Sequence, residues 1–307
     1  MDEVLTLIPE HITKEILQLS PQLVDQLEEI RCRIGRPVEL MYGGKPHFLD
    51  KLIFSVQDAR ALLGKLSHYS LYTLEEELRR GYVTISGGHR IGLAGKVITE
   101  ESQVKRIRDV SSFNIRIARQ RLGASRAVLE FLYQDHRWYN TLIIGPPQAG
   151  KTTLLRDIAR MASQGEGIIP SAKVGIVDER SEIAGSVKGV PQHVFGPRVD
   201  VLDACPKAEG MMMLIRSMSP ELIIIDEIGR EEDSEALLEV LNAGVNVIAS
   251  AHGYSYEQIL LRPNMHLLVE QRLFDRFIIL SRRGGLRVIE AIYNGEGSLI
   301  SRNRALI

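Results

Sequence analysis

Asn140-Thr-Leu-Ile-Ile-Gly145-Pro-Pro-Gln-Ala-Gly150-Lys-Thr-Thr-Leu-Leu155-Arg-Asp-Ile-Ala-Arg160-Met-Ala-Ser163 strings together an apolar run, a glycine-flanked loop and an amphipathic run. The apolar run reads as a buried strand. Leu154, Leu155, Ile158, Ala159 and Ala162 recur at helical spacing. Between them, Gly145, Pro146, Pro147, Gln148, Ala149, Gly150, Lys151, Thr152 and Thr153 fit the phosphate-binding pattern of two glycines, a lysine and a hydroxyl at fixed offsets. Each position has a physical reason. Gly145 lets the chain leave the strand sharply, and Gly150 lets successive N–H groups curl around one anion. Lys151 reaches the β- and γ-phosphates as a point charge, and the Thr152 hydroxyl is placed to ligate Mg²⁺. The following helix turns its positive end to the same phosphates. A surface loop that happens to carry Gly and Lys lacks this context of strand before and helix after. The stretch therefore predicts a nucleotide site for ATP with Mg²⁺.

Outward from this stretch, strand and helix patterns alternate, which predicts a mainly parallel α/β sheet with right-handed crossovers. Lys173–Val177 ends in Asp178-Glu179-Arg180-Ser181-Glu182. Leu222–Ile225 ends in Asp226-Glu227, and Val245–Ser250 ends in Ala251-His252-Gly253. With the phosphate loop, four strands terminate in polar groups at one sheet edge, where open α/β sheets bind ligands.

Asp226-Glu227 suits ATP hydrolysis: the first carboxylate holds Mg²⁺ and its water shell, and the second orients and deprotonates the attacking water. An acidic pair at a helix N-terminus is the plainer reading, and the phosphate loop upstream favours catalysis. Asp178, Glu179 and Glu182 form a second acidic cluster that either shares the metal and water, pairs with Arg180, or caps a helix. His252, at a strand end, is placed to sense the γ-phosphate as a neutral donor. Met211–Ile215 reads as a core helix. Arg198 and Arg216 are candidate partners for the acids.

The 307 residues are enough for two domains, and 44% hydrophobic with 25% charged residues is ordinary for a globular protein. A net charge of −1 supplies no global field for nucleic acid or an anionic membrane. Met1-Asp2-Glu3 has no basic n-region, so a secretory signal is not expected. Cys32 and Cys205 lack metal spacing and read as reduced small hydrophobes, as in a cytoplasmic protein.

Residues 1–120 are expected to form a smaller α+β domain with a basic linker, and 121–307 the nucleotide domain. Leu23, Val24, Leu27 and Ile30 repeat at helical spacing after Ser20-Pro21, a cap and an N1 proline. Ile30, Cys32 and Ile34 then alternate with Arg31 and Arg33, Gly35-Arg36-Pro37 turns the chain, and Val38, Leu40 and Tyr42 alternate again, a hairpin with one basic face. Ser55 with Asp58 caps a helix to about Ser67, and Thr73 with Glu76 forms a capping box for another ending at Gly81. Tyr82–Ile98 reads as a hairpin turning at Gly87-Gly88, with Gly92 and Gly95 marking close approach or a bulge. Lys105–Arg121 is locally basic, and within it Phe113–Ile117 alternates as a strand with Arg116 on the polar face. Either this face is merely solvated, or Arg116 and Arg119 point at a nucleotide held by a neighbouring subunit. A helix is expected from about Ala124 to Tyr133. At the tail, Phe277–Ser281 and Leu286–Tyr293 flank Arg282-Arg283-Gly284-Gly285, a hairpin expected to add antiparallel to the sheet edge.

The order of phosphate loop, Asp178-Glu179-Arg180, Leu222–Glu227 and Ala251-His252-Gly253 resembles the hexameric ATPases of type II and type IV secretion, with their Walker A, acidic box, Walker B and histidine box. The string from Val194 through Asp203-Ala-Cys-Pro-Lys207 and Gly210-Met-Met-Met to Glu221 is similar, more closely still, to the stage III sporulation AA family. So is Phe113-Asn-Ile-Arg-Ile-Ala-Arg119. The resemblance spans essentially the whole chain. It implies a RecA-like P-loop ATPase domain behind the smaller N-terminal domain, and a homo-oligomeric ring, a hexamer by that likeness. It also implies a cytoplasmic place in the mother cell, at the base of the channel to the forespore, with membrane-embedded partners. Secretion ATPases carry Gly-Glu where this chain has Asp226-Glu227. That departure makes the Mg²⁺ site more like the general RecA type and leaves Glu227 and the acids near Asp178 as alternatives for activating water. A nucleotide-gated interaction platform with little turnover is the second reading. A nucleic-acid translocase ranks last, because the basic stretches at Arg31–Arg36 and Lys105–Arg121 contain no aromatic stacking platform.

Overall fold

The computed structural model describes residues 1–67, 75–100, 103–283 and 286–305, in two units, Met1–Arg119 and Gln120–Ile307. The first unit starts with three short helices, α1 (Asp2–Leu7), α2 (Glu10–Leu17) and α3 (Pro21–Gln26). Ser20 caps α3 by accepting the Leu23 N–H, as expected, but the helix ends at Gln26. Leu27 and Ile30 instead lie in β1 (Leu27–Arg33), both fully buried. The two-residue alternation of Ile30 and Cys32 with arginines overrides the weaker helical spacing, because it buries one whole strand face.

β1 sits inside an antiparallel sheet with β2 (Pro37–Tyr42), β3 (Lys45–Ile53), β4 (Tyr82–Ile85), β5 (His89–Glu100) and β6 (Gln103–Arg116), in the order β3-β2-β1-β6-β5-β4 among the described residues. α4 (Val56–Leu66) carries the expected Ser55–Asp58 capping box, and α5 (Glu75–Arg80) follows. The box expected at Thr73 and Glu76 lies outside the described residues. Ile12, Ile16, Leu62, Ile30, Cys32, Phe113 and Ile115 share one core. The basic face of β1 is neutralised locally: Arg31 pairs with Glu29 at 2.7 Å and Arg33 with Glu39 at 2.6 Å. At Gly95 the β5–β6 register shifts, and an added Cβ would lie 1.9 Å from the Asp109 carbonyl oxygen, so only glycine fits the bulge.

The second unit opens with a 3₁₀ turn (Ala124–Ala127) and the single-turn α6 (Leu129–Leu132). The continuous helix expected to Tyr133 is absent. The Asp157 carboxylate takes the N–H groups of Gly123 and Ser125, which fixes the 3₁₀ start, and Val128 at φ −122° interrupts the continuation. The strands β7 (Tyr133–Gln134) and β8 (Arg137–Trp138) form a small hairpin.

The main sheet contains β9 (Thr141–Gly145), β10 (Val174–Asp178), β11 (Val199–Asp203), β12 (Leu222–Ile225), β13 (Asn246–His252), β14 (Arg276–Arg283), β15 (Leu286–Asn294) and β16 (Leu299–Ala305). Their order is β11-β10-β12-β13-β9-β14-β15-β16. From β11 to β14 every pairing is parallel; β15 and β16 return antiparallel. The tail thus departs from expectation in one respect. β14 pairs parallel with β9, Ile279 opposite Ile144, because the chain crosses over through α10 (Tyr256–Leu260) and α11 (Pro263–Glu270) before entering the sheet. Only the partners beyond it are antiparallel. The turn at Gly284-Gly285 lies outside the described residues.

Side chains of the parallel strands alternate between two faces. Ile143, Ile176, Ile224 and Ile248 pack with Leu154, Leu155 and Ile158 of α7 (Lys151–Gln164). Leu142, Ile144, Ile223, Ile225 and Val247 pack with Met211 and Leu214 of α8 (Lys207–Ser217) and Leu237 and Val240 of α9 (Glu231–Asn242). Helices on both faces leave the carboxyl ends of β9, β10, β12 and β13 as one edge. Among the described residues no helix is long and apolar enough to cross a membrane.

Candidate functional site

At that edge the phosphate-pattern loop bends from β9 into α7. Gly150 takes φ +100° as the N-cap of α7, and Gln148 holds φ +64° at the exposed apex. At Gly145 an added Cβ would come 3.1 Å from both Ala149 and Leu280. Pro146, Pro147 and Gln148 line the outer side of the loop, Ala149 and Gly150 are buried beneath it, and Thr152 and Thr153 are half-buried at the helix start. The Gln148 amide oxygen accepts a bond from Arg282 of β14 at 3.1 Å.

Lys151 is buried, and its ammonium folds back on its own loop, donating to the carbonyls of Gly145 at 2.9 Å and Pro146 at 3.2 Å. Burial holds its pKa below the ordinary lysine value, with Asp226, Glu227 and Glu182 pulling the other way. Nζ also lies 3.3 Å from His252 Nδ1. An ammonium can only donate, so Nδ1 accepts and the ring proton sits on Nε2. Nε2 in turn lies 2.8 Å from Glu227 Oε1. The other Glu227 oxygen, Oε2, accepts from Arg180. Glu227 itself adopts φ +56°, unusual for a non-glycine residue, and its N–H donates to Ser250 Oγ at 3.0 Å. Asp226 is held from both sides: the Thr152 hydroxyl donates to Oδ2 at 2.6 Å, and the Ser250 hydroxyl to Oδ1.

Asp178 is buried at the end of β10, where its two oxygens accept the backbone N–H groups of Glu182 and Ala184, each at 2.8 Å. Burial pushes its pKa up to about 6, against those backbone bonds. Arg156 of α7 reaches the same loop from below and donates to the carbonyls of Ile183 at 2.7 Å and Glu182 at 2.6 Å. Burial brings its pKa down to about 10. Glu179 pairs with Lys207, and Ser181 donates to Asp203 at 2.6 Å. The result is a cleft lined by Asp178, Glu179, Arg180, Glu182, Asp226 and Glu227.

The fold therefore brings Lys151, Thr152, Asp226, Glu227 and His252 into one bonded network, with Asp178 and Glu179 on the adjoining loop. Arg116 and Arg119 belong to the first unit. Arg116 Nε lies 3.7 Å from Glu29, whereas Arg119 donates to the carbonyls of Val24 at 3.0 Å and Leu27 at 2.8 Å. Arg198 pairs with Glu221 at 3.4 Å, away from the acids of the cleft. Arg156, Lys207, Asp203 and Ser250 carry no role in the sequence reading. For Ser250 a signal existed: it is the lone hydroxyl of a buried strand, and the register of Ile225 opposite Ala249 puts it beside Asp226.

The residues fit a nucleotide with Mg²⁺. The buried ammonium bonds only weak neutral acceptors beside a glycine-shaped loop, and a hydroxyl and a carboxylate in contact are the oxygen donors a hard cation prefers. Among the described residues no three His, Cys, Asp or Glu side chains converge to hold a metal by themselves.

The fold is similar to that of two solved structures. The Legionella pneumophila ATPase DotB superposes with a TM-score of 0.62 over 94% of this chain and 79% of that one, at 14% identity. The pilus retraction motor PilT with bound ADP gives 0.61 over 96% and 83%, at 19% identity. By sequence, Protein SEEDLING PLASTID DEVELOPMENT 1 of Arabidopsis thaliana is 25% identical over 271 residues, 88% of this chain and 36% of that protein. The Stage III sporulation protein AA of Bacillus subtilis (strain 168) is 56% identical over 302 residues, 98% of each chain. The model of the family described as sporulation stage III, protein AA matches residues 1–300, and the chain belongs to that family.

Proposed function

We propose that the chain is an ATP-hydrolysing ring motor that drives assembly of, or transport through, the channel between mother cell and forespore. The observation that supports this reading is the continuous network Arg180–Glu227–His252–Lys151, with Thr152–Asp226 beside it, at the carboxyl edge of a parallel sheet.

In this reading Lys151 turns from the loop carbonyls to the β- and γ-phosphates. Thr152 and Asp226 hold Mg²⁺, which when bound neutralises charge on the phosphate oxygens. Glu227 orients the attacking water and takes its proton. His252, bonded to both Lys151 and Glu227, relates the phosphates to the base. The loop after β10 lines the same cleft, where Asp178 and Glu179 are the alternative acids. Arg116 and Arg119, from residues 1–120, supply positive charge to the nucleotide on domain 121–307 of a neighbouring copy in a homohexamer. The ring works at the cytoplasmic face of the mother-cell membrane, held there by membrane-embedded channel components.

Phosphate release by the purified protein tests this, beside Lys151→Ala and Glu227→Gln. Lys151→Ala is expected to lose nucleotide binding. Glu227→Gln is expected to bind ATP but turn over at least 100-fold more slowly, on the order of one general base. Full turnover in Glu227→Gln removes Glu227 as the base and moves attention to Asp178 and Glu179. One observation favours the second reading, a platform of low turnover: both Glu227 oxygens are already engaged. Wild type that binds ATP and releases no phosphate, even when concentrated, establishes that alternative.

A further inference from the structure

The group cast as the base is bound at both oxygens by cations or donors of its own chain, and the two partners differ. His252 reaches Glu227 from inside the network, on the strand beside it. Arg180 comes from the loop after β10, its side chain 57% exposed, and closes over Glu227 from the cleft side. A carboxylate held by a guanidinium is a poor base, because the bond stabilises the charged form that would have to take the proton. Some event must part the pair before Glu227 can act. A planar guanidinium prefers a multiply charged phosphate oxygen to a single carboxylate, and forms paired bonds with it. The cleft that Arg180 lines also contains Asp226 and Glu227, so a triphosphate placed by Lys151 and Thr152 brings such an anion to it.

We propose that Arg180 is an exchange gate on Glu227: without a γ-phosphate it clamps the carboxylate, and a γ-phosphate takes the guanidinium away and frees the base. The gate thereby makes Arg180 a specificity residue for nucleoside triphosphate over diphosphate. This inference rests on the nucleotide reading given above.

The exchange has a thermodynamic signature that does not depend on turnover. If Glu227 and the γ-phosphate compete for one guanidinium, deleting the carboxylate makes ATP bind more tightly, and only while Arg180 is present. Displacement of a fluorescent ADP analogue by ATP or ADP, with Mg²⁺, measures this in wild type, Glu227→Ala, Arg180→Ala and the double variant. Glu227→Ala is expected to bind ATP about tenfold more tightly with ADP within twofold, the scale of one coupled charged pair. Arg180→Ala is expected to weaken ATP by a similar factor and leave ADP alone. In the double variant the gain from Glu227→Ala is expected to vanish. Arg180→Lys, which keeps the charge without the fork, is expected to fall between wild type and Arg180→Ala.

If Glu227→Ala tightens ATP equally with and without Arg180, the effect is plain repulsion between carboxylate and phosphate, and the gate is overturned. It is overturned also if Arg180→Ala weakens ATP and ADP alike, since that marks a structural role. Failure of wild type to bind either nucleotide overturns the functional reading itself, a result distinct from both.

Discussion

Asp157 shows how a residue without a part in the chemistry can hold the opening turn of its unit in place. It lies on α7, fully buried, and its carboxylate accepts from Gly123 N at 3.1 Å, Ser125 N at 2.8 Å, Ser125 Oγ at 2.6 Å and Arg160 Nε at 2.8 Å. Burial alone would push its pKa up; the bonds from Ser125, Arg160 and Gly123 outweigh it and hold the pKa below the ordinary value. A carboxylate with a depressed folded-state pKa adds stability above its unfolded pKa, near 4, and loses it as pH falls through the lower folded value. Asp157→Asn keeps the shape but swaps one acceptor for a donor facing donors. It is expected to lose about 2 kcal/mol at pH 7, read as a lower urea midpoint, with the gap to wild type closing at pH well below 4. Equal midpoints at pH 7 would show that water replaces these bonds. Nothing in the sequence marked Asp157 or Arg156, because each is placed by partners 26 to 34 residues away, whereas Ser250 stood out only as the lone hydroxyl of a buried strand. Lys151, Thr152, Asp226 and His252 were legible because strand ends and loop spacing fix them locally.

At the scale of elements, periodicity gave the four central strands and the helices between them, and failed where two signals competed. β11 went unread: Val199-Asp-Val-Leu-Asp203 alternates at an edge with every residue only half-buried, so no apolar run announces it. β14 was read as a hairpin arm because Arg282 and Arg283 lead into a turn, whereas its parallel pairing with β9 depends on the distant crossover. The contact of α8 with β10 offers a test of which force governs an element. On α8, a Cβ at Gly210 would lie 2.5 Å from Val177 Cγ1, and at Gly175 on β10 one would lie 2.7 Å from Leu214 Cδ1. Helix propensity alone predicts that Gly210→Ala stabilises by up to about 1 kcal/mol. Packing predicts the reverse, since Val177 is buried and its branched side chain has few rotamers to retreat into. Overpacking typically costs about 1–3 kcal/mol, so the variant is expected to melt several degrees below wild type. A higher melting temperature would mean that α8 can slide on the sheet.

The whole molecule has one core under the antiparallel sheet of Met1–Arg119 and two on the faces of the parallel sheet of Gln120–Ile307. The residues proposed to bind nucleotide lie in the second unit, and the arginines proposed to act in trans lie in the first. Within that unit the two arginines are not equivalent. Arg119 is committed to two backbone carbonyls of the α3–β1 junction, whereas Arg116 is 57% exposed and touches Glu29 only at 3.7 Å. Reorienting Arg119 would strip bonds from its own unit; reorienting Arg116 gives up a weak surface pair. Arg116 is therefore the better candidate to serve a neighbouring copy. Arg116→Ala is expected to lower phosphate release by about 10³-fold, the scale of an arginine supplied in trans, without shifting the melting temperature. Arg119→Ala is expected to lower the melting temperature. Mixing separates trans from cis action. Arg116→Ala keeps a working phosphate loop, and Lys151→Ala keeps Arg116, so a mixed ring restores some complete interfaces if the arginine acts across them. Recovered turnover in the mixture, rising with protein concentration, establishes that arrangement. A mixture no more active than its components would place Arg116 in the same chain as its nucleotide, or outside the site altogether.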